Sequence, residues 1–245
     1  MSQVDRNQPL GTPTWIDLAV TDPQAAQAFY GTVFGWEFAT AEGGTHCLLR
    51  GLPVAGLHRA EADHGWTVHL ATEDCDLTAA RVTAAGGTVL AAPHEVGDLG
   101  RAALAVDPSG ARFGLWQGRA IPGCQLVNEP GTLIRNDLVT ARASAARPFY
   151  AAVFDFTLDG NQDLPGMDFT YLRRPDGHEI GGILGLPEAP ASAWVTTFQV
   201  TDIHETVARV RHAGGSCPAP EETPYGRSAT VTDPFGTEFT VMSLP

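Results

Sequence analysis

The sequence has no lysine: all 15 of its basic residues are arginine. That absence excludes a Schiff-base lysine and the phosphate-binding lysine of a P-loop. Cysteine is sparse. Cys47, Cys75, Cys124 and Cys217 form no CxxC pair, which predicts reduced thiols in a cytoplasmic protein rather than a disulfide framework. No apolar run reaches the roughly 18 residues of a membrane span. The polar stretch from Met1 to Leu10 lacks the apolar core of a secretory signal. Positive charge is scarce too: 28 acidic residues leave a net charge of −13. Such a surface repels phosphate backbones, no basic patch offsets it, and no nucleic-acid partner is expected. G-x-S-x-G elbows, Rossmann glycine patterns and P-loops are also missing.

What is present is an internal repeat. Residues 15–36 and 135–156 match at eight of 22 positions, including Phe29-Tyr30 with Phe149-Tyr150. Further on, 66–87 matches 194–215, pairing Trp66 with Trp194 and Asp74 with Asp202. A third match sets DPSGARFG (107–114) on DPFGTEFT (233–240). The order is the same in both halves, so the chain is a duplicated domain. We expect a disordered tail over 1–10, a first domain over 11–117, a Pro/Gly linker over 118–130 and a second domain over 131–245.

Each half reads as strand, helix and short strands, twice. Alternation predicts a strand over 15–20. Asp22 then caps a helix with Pro23 at its first position, and Gly35 stops it. The pattern restarts with a strand over 66–71, a helix capped by Asp74 and a Gly86-Gly87 stop. The result is an α+β chain of four βαβββ modules.

This module order, with DPQAAQAFYGTVFGW (22–36) and VDPSGARFGLW (106–116), resembles the vicinal-oxygen-chelate superfamily of glyoxalase I, extradiol dioxygenases, fosfomycin-modifying enzymes and bleomycin-binding proteins. The linker LVNEPGTL (126–133) is similar to that of two-domain actinobacterial members. The resemblance implies two domains with cupped mixed sheets, and covers nearly the whole chain. It also implies where metal ligands would stand: seven residues before each capping Asp, and seven after the Asp of the D-P-x-G turn. Here those places hold Trp15, Thr67 and Gly114, then Arg135, Val195 and Thr240. None is His, Glu or Gln. A divalent ion needs about three oxygen or nitrogen donors, so no metal and no other cofactor is expected.

Strand faces alternate with period two. With Trp15 turned into the cup, so are Asp17, Thr67, His69, Arg112, Gly114 and Trp116, while Ile16, Leu18, Val20, Trp66, Val68 and Leu70 turn to the helices. The counterpart cup receives Arg135, Asp137, Val195, Thr197, Glu238, Thr240 and Met242. Asp17 and His69 can face each other as a general acid–base pair. The alternative is structural, since Asp137 repeats the position without a histidine. Trp15 and Trp116 suit a flat aromatic or apolar ligand, or fill the space a metal would take. Arg135 is expected to pair with Asp137 or Glu238 and occupy its own cup. Arg101 and Arg227 read as structural salt bridges. His46, His58, His64, His178, His204 and His212 show no ligand spacing, and His94-Glu95 reads as a solvated loop.

The ligand-binding candidates are therefore Trp15, Asp17, Thr67, His69, Gly114, Trp116, Arg135 and Asp137, with Asp17 and His69 as the catalytic candidates. Three functions stay open. The first is metal-independent binding of a small apolar or aromatic molecule, with sequestration of an antibiotic as one use. The second is a glyoxalase-like lyase or isomerase, or a hydroxylase-like enzyme, working through Asp17 and His69. The third is a scaffold for interaction. We expect a monomer built as an intramolecular domain pair, or a homodimer.

Overall fold

The computed structural model describes residues 3–62, 65–160 and 166–245; His64 lies outside these. The first half runs β1 (Pro13–Val20), α1 (Pro23–Phe34), β2 (Glu37–Ala41), β3 (Gly44–Leu49) and β4 (Leu52–Arg59). It continues with β5 (Gly65–Ala71), α2 (Cys75–Ala84), β6 (Thr88–Val96), β7 (Gly100–Val106) and β8 (Arg112–Gly118). The second half repeats this as β9 (Leu133–Thr140), α3 (Ala143–Phe154), β10 (Thr157–Asp159), β11 (Asp168–Arg173) and β12 (Glu179–Gly185). Then come β13 (Ala193–Gln199), α4 (Ile203–His212), β14 (Glu221–Thr223), β15 (Gly226–Thr232) and β16 (Glu238–Ser243). These are the four expected βαβββ modules.

Each half forms one eight-stranded mixed sheet, in the orders β2-β3-β4-β1-β5-β8-β7-β6 and β10-β11-β12-β9-β13-β16-β15-β14. Within a module the first strand pairs parallel with the last, as β1 with β4 and β5 with β8. The two modules of a half join through antiparallel first strands, β1 with β5. That junction sets Trp15 opposite His69 and Asp17 opposite Thr67. Its counterpart sets Arg135 opposite Thr197 and Asp137 opposite Val195.

The helices form as their sequences dictate. The Asp22 carboxylate accepts from the Ala25 amide, and Gly35 ends α1 in the left-handed region at φ 73°. Asp74 and Asp202 cap α2 and α4 in the same way. Helix α3 departs from its twin. Arg142 replaces the capping aspartate and makes no side-chain cap, while the Thr140 hydroxyl accepts from the Arg142 amide at 2.9 Å.

The apolar faces of the two sheets meet across the helices. Phe34 of α1 lies 4.9 Å from Phe198 and 5.9 Å from Phe239 of the other half, between ring centroids. Phe149, Tyr150 and Phe154 of α3 surround Phe113 of β8. Two polar groups of this core pair across the halves: the Tyr30 hydroxyl donates to Asp233 at 2.9 Å, and Trp36 donates to the Gly131 carbonyl at 2.8 Å. One aromatic core thus serves both halves, and burying each such ring stabilises the pair by about 1.5–3 kcal/mol.

The N-terminal segment departs from expectation. It is tied to the linker from Gln3 onward rather than free: Gln3 bridges to Leu126, Val4 donates to the Gln125 carbonyl, and Asn7 holds the Gly118 carbonyl. Backbone groups left unpaired by the linker recruit it. All four cysteines are free and buried. Arg101 pairs with Asp76 and Glu95, and Arg227 pairs with Glu222, as structural bridges.

Candidate ligand-binding cup

The face of the first sheet turned away from the core encloses a cavity of about 350 Å³. Trp15, Asp17, Thr67, His69 and Trp116 line it, as strand alternation requires. Gly114 does not line it, because the His69 ring lies directly over that glycine. A Cβ at position 114 would overlap the imidazole. Gly56 does the same for Trp15, whose ring would stand 3.0 Å from a Cβ there. Two glycines therefore leave room for two rings, and one of them occupies a place where the resemblance puts a metal ligand.

Trp15 and Trp116 stack with centroids 6.3 Å apart and planes 23° from parallel, and His46 meets Trp15 edge-on at 5.7 Å. Trp116 is pinned by donating to the Ile121 carbonyl at 3.0 Å. The tryptophans are only 7% and 6% exposed, so they form a rigid wall whose edges meet the cavity.

Asp17 and His69 meet as a diagonal pair across β1 and β5. His69 Nε2 lies 2.9 Å from Asp17 Oδ2. Burial alone would raise the Asp17 carboxyl. The charge and hydrogen bond of His69, with smaller contributions from His58 and Arg112, outweigh it and hold the carboxyl below its ordinary 3.8. In neutral His69 the proton then sits on Nε2 and Nδ1 is bare. Nδ1 is buried and has no partner. The imidazole side chain is 8% exposed and the carboxylate 20%, so Asp17 is the member of the pair within a ligand's reach.

Strand alternation had not drawn further residues to this site. His46 on β3, His58 on β4 and His94 on β6 all line the cavity. His94 is strand rather than solvated loop. Burial lowers the His46 pKa, so that ring is neutral at pH 7. Arg112 lines the cavity as well. Its position on the inner face was readable from period two; the histidines required the sheet order. Even so, among the described residues no three His, Cys, Asp or Glu side chains converge as a metal-binding group.

Arg135 and Asp137 lie in the other half and are bonded to each other, Nε to Oδ2 at 2.7 Å. The second partner of Arg135 is Glu179 at 2.9 Å rather than Glu238, which is exposed at the start of β16. Glu179 begins β12, next to β9 in the sheet, and is closer to hand. The guanidinium also lies 5.8 Å from the Phe169 ring centroid. A polar cavity of about 300 Å³ reaches Arg135 and Glu179 from the linker side, with Arg174 and His178 on its wall.

Comparison with known proteins places these features. The family model for a glyoxalase-like domain matches residues 14–116, and that of the glyoxalase/bleomycin resistance protein/dioxygenase superfamily matches 132–241. The Mycobacterium tuberculosis protein named Putative glyoxylase CFP32 is 36% identical over 95% of this chain and 94% of its own length. The anthracycline biosynthesis protein DnrV of Streptomyces peucetius is 34% identical over 96% and 94%. Among solved structures, an Mn(II)-bound glyoxalase from Novosphingobium aromaticivorans superposes with a TM-score of 0.70 at 19% identity, over 96% of this chain and 82% of its own. The catechol dioxygenase BphC superposes with a TM-score of 0.66 at 14% identity, over 96% and 87%. Among the described residues no helix is long and apolar enough to cross a membrane.

Proposed function

The chain belongs to the glyoxalase/bleomycin resistance/dioxygenase superfamily, and from that premise we propose that it binds a small, flat, apolar or aromatic molecule in its first cup without a metal. One observation carries the reading: the Trp15–Trp116 wall and the His69 ring over Gly114 stand where a divalent ion would need donors. A cavity of about 350 Å³ falls within the range of small-molecule sites, on the order of 300–1,000 Å³. The anthracycline relatives favour a fused-ring aromatic, and sequestration or delivery of such a compound in the cytoplasm is the use we assign. Chelator treatment is expected to leave the melting temperature and ligand binding unchanged. Stoichiometric zinc, nickel or iron whose removal abolishes binding overturns the proposal.

A second reading, a glyoxalase-like or hydroxylase-like enzyme, draws on the Asp17–His69 hydrogen bond at 2.9 Å and on the CFP32 name. In that case Asp17 exchanges the proton with substrate, and His69 holds the carboxylate in place. Replacing His69 by Gln separates the two readings. A binder keeps its affinity within about threefold, since Gln can still donate. An enzyme loses turnover while substrate affinity holds.

A further inference from the structure

We propose that the first cup selects an aromatic carboxylate, with Arg112 taking the carboxylate and the ring system lying against Trp15 and Trp116. This narrows the ligand class and rests on the reading of the cup as an aromatic-binding site.

The arginines single out the residue. Thirteen of the 15 hold a hydrogen bond or ion pair through their side chains. Of the other two, Arg142 is exposed on the surface. Arg112 is half-buried, lines the cavity and makes neither kind of contact among the described residues; its Nε is shut off from solvent with no acceptor. A dry, unpaired N–H is costly, more so on a charged group, and here the cost is met inside a mostly apolar cavity. An incoming oxyanion recovers it with charge-assisted hydrogen bonds, which the planar guanidinium fork can make two at a time.

Asp17 does not already serve as that anion. Its Oδ2 is taken by His69, and it stands too far from Arg112 for an ion pair. A carboxylate in direct contact with Arg112 gains more from the guanidinium than it loses to the more distant Asp17. Among the described residues Arg112 is the one arginine lining the cavity, so a single guanidinium fork suits a monoanion rather than a phosphate chain. The other half lacks the feature, since Glu238 stands at the Arg112 position and Arg135 is already held by Asp137 and Glu179.

The test is calorimetric titration with 2-naphthoate and its neutral isostere 2-naphthamide, on the full chain and on Arg112→Gln and Arg112→Lys, with melting curves as the folding control. The wild-type protein is expected to prefer the acid by about tenfold or more. Arg112→Gln should remove that preference while holding naphthamide affinity within about threefold, and Arg112→Lys should keep part of it. Should Arg112→Gln fail to fold, the wild-type acid-to-amide ratio and the Arg112→Lys variant decide. Equal affinity for the two probes, or naphthoate binding that survives Arg112→Gln, overturns the Arg112 assignment and leaves aromatic binding standing. If neither probe binds, the aromatic reading of the cup falls and this proposal with it.

Discussion

The two cups descend from one ancestor and have spent their inner faces differently. In the first, positions 15, 69 and 116 hold Trp, His and Trp, glycines beneath the rings make space, and an arginine is left unpaired over a cavity. In the second, Arg135 stands at the place of Trp15 and is consumed by Asp137 and Glu179. Asp17 and Asp137 sit at the same register, each facing a glycine of the parallel neighbour, Gly56 or Gly182. Their partners differ: the His69 imidazole holds one and a permanent cation the other. The aromatic core repeats in both halves, Phe29-Tyr30 with Phe149-Tyr150 and Trp66 with Trp194, whereas the outward faces differ.

The largest test asks whether either cup exists without the other half. Residues 12–118 expressed alone would expose Phe34 and Phe113, now covered by Phe198, Phe239 and α3. Ultracentrifugation is expected to find a dimer or an aggregate; a monomer with a cooperative melt would show that each half stands alone. Next is the ion pair. Arg135→Ala should lower unfolding free energy by about 1–3 kcal/mol, since it strands the half-buried Asp137 carboxylate and leaves Glu179 with Arg173 at 3.6 Å, while Arg112→Ala should cost less than about 0.5 kcal/mol because no partner is lost. Equal losses in urea titrations would erase the distinction between the cups.

Binding sharpens the contrast further. Trp15→Ala is expected to weaken 2-naphthoate by about 1–3 kcal/mol, and Arg135→Ala to leave it nearly unchanged, with one site per chain by calorimetry. A stoichiometry of two, or the opposite ranking, moves the working site to the second half. The smallest effect concerns pH. The Asp17 carboxyl is held below 3.8 in the folded protein, so its stabilising contribution is complete above that value and fades as pH falls through the lower, folded one. Asp17→Asn should therefore flatten the acid limb of the melting profile below about pH 4 without altering its slope near neutrality. Parallel acid limbs for the two proteins would show that His69 does not stabilise the ionised form.

Much of the fold was legible because it depends on local chemistry. Asp22, Asp74 and Asp202 cap their helices, Gly35 stops one, and period-two alternation separated Ile16, Leu18 and Val20 from Trp15 and Asp17. The Arg135–Asp137 pair was legible too, being two residues apart on one strand. Glu179 was not, because the adjacency of β12 to β9 is a crossover. His94 was misjudged as loop for a related reason: its strand is an edge strand with a bulged register, and such strands carry a weak alternation signal. The tail expected to be disordered over 1–10 is instead hydrogen-bonded from Gln3 onward, because the linker's unpaired backbone cannot be seen in composition.

The amino-acid sequence by itself determined the duplication, the module order, the inner and outer faces of each strand, and the scarcity of metal-donor side chains at the positions the family uses. The first three follow from spacing along one chain, and the last from the family resemblance that this spacing carries. Only the tertiary structure decided that His46, His58 and His94 join Asp17 and His69 around one cavity, that the imidazole hides its free nitrogen against Gly114, and that Arg112, alone of the half-buried arginines, finds no partner among the described residues. Those depend on which strands become neighbours and on how much volume each side chain leaves for the next, and neither quantity is encoded by any local stretch.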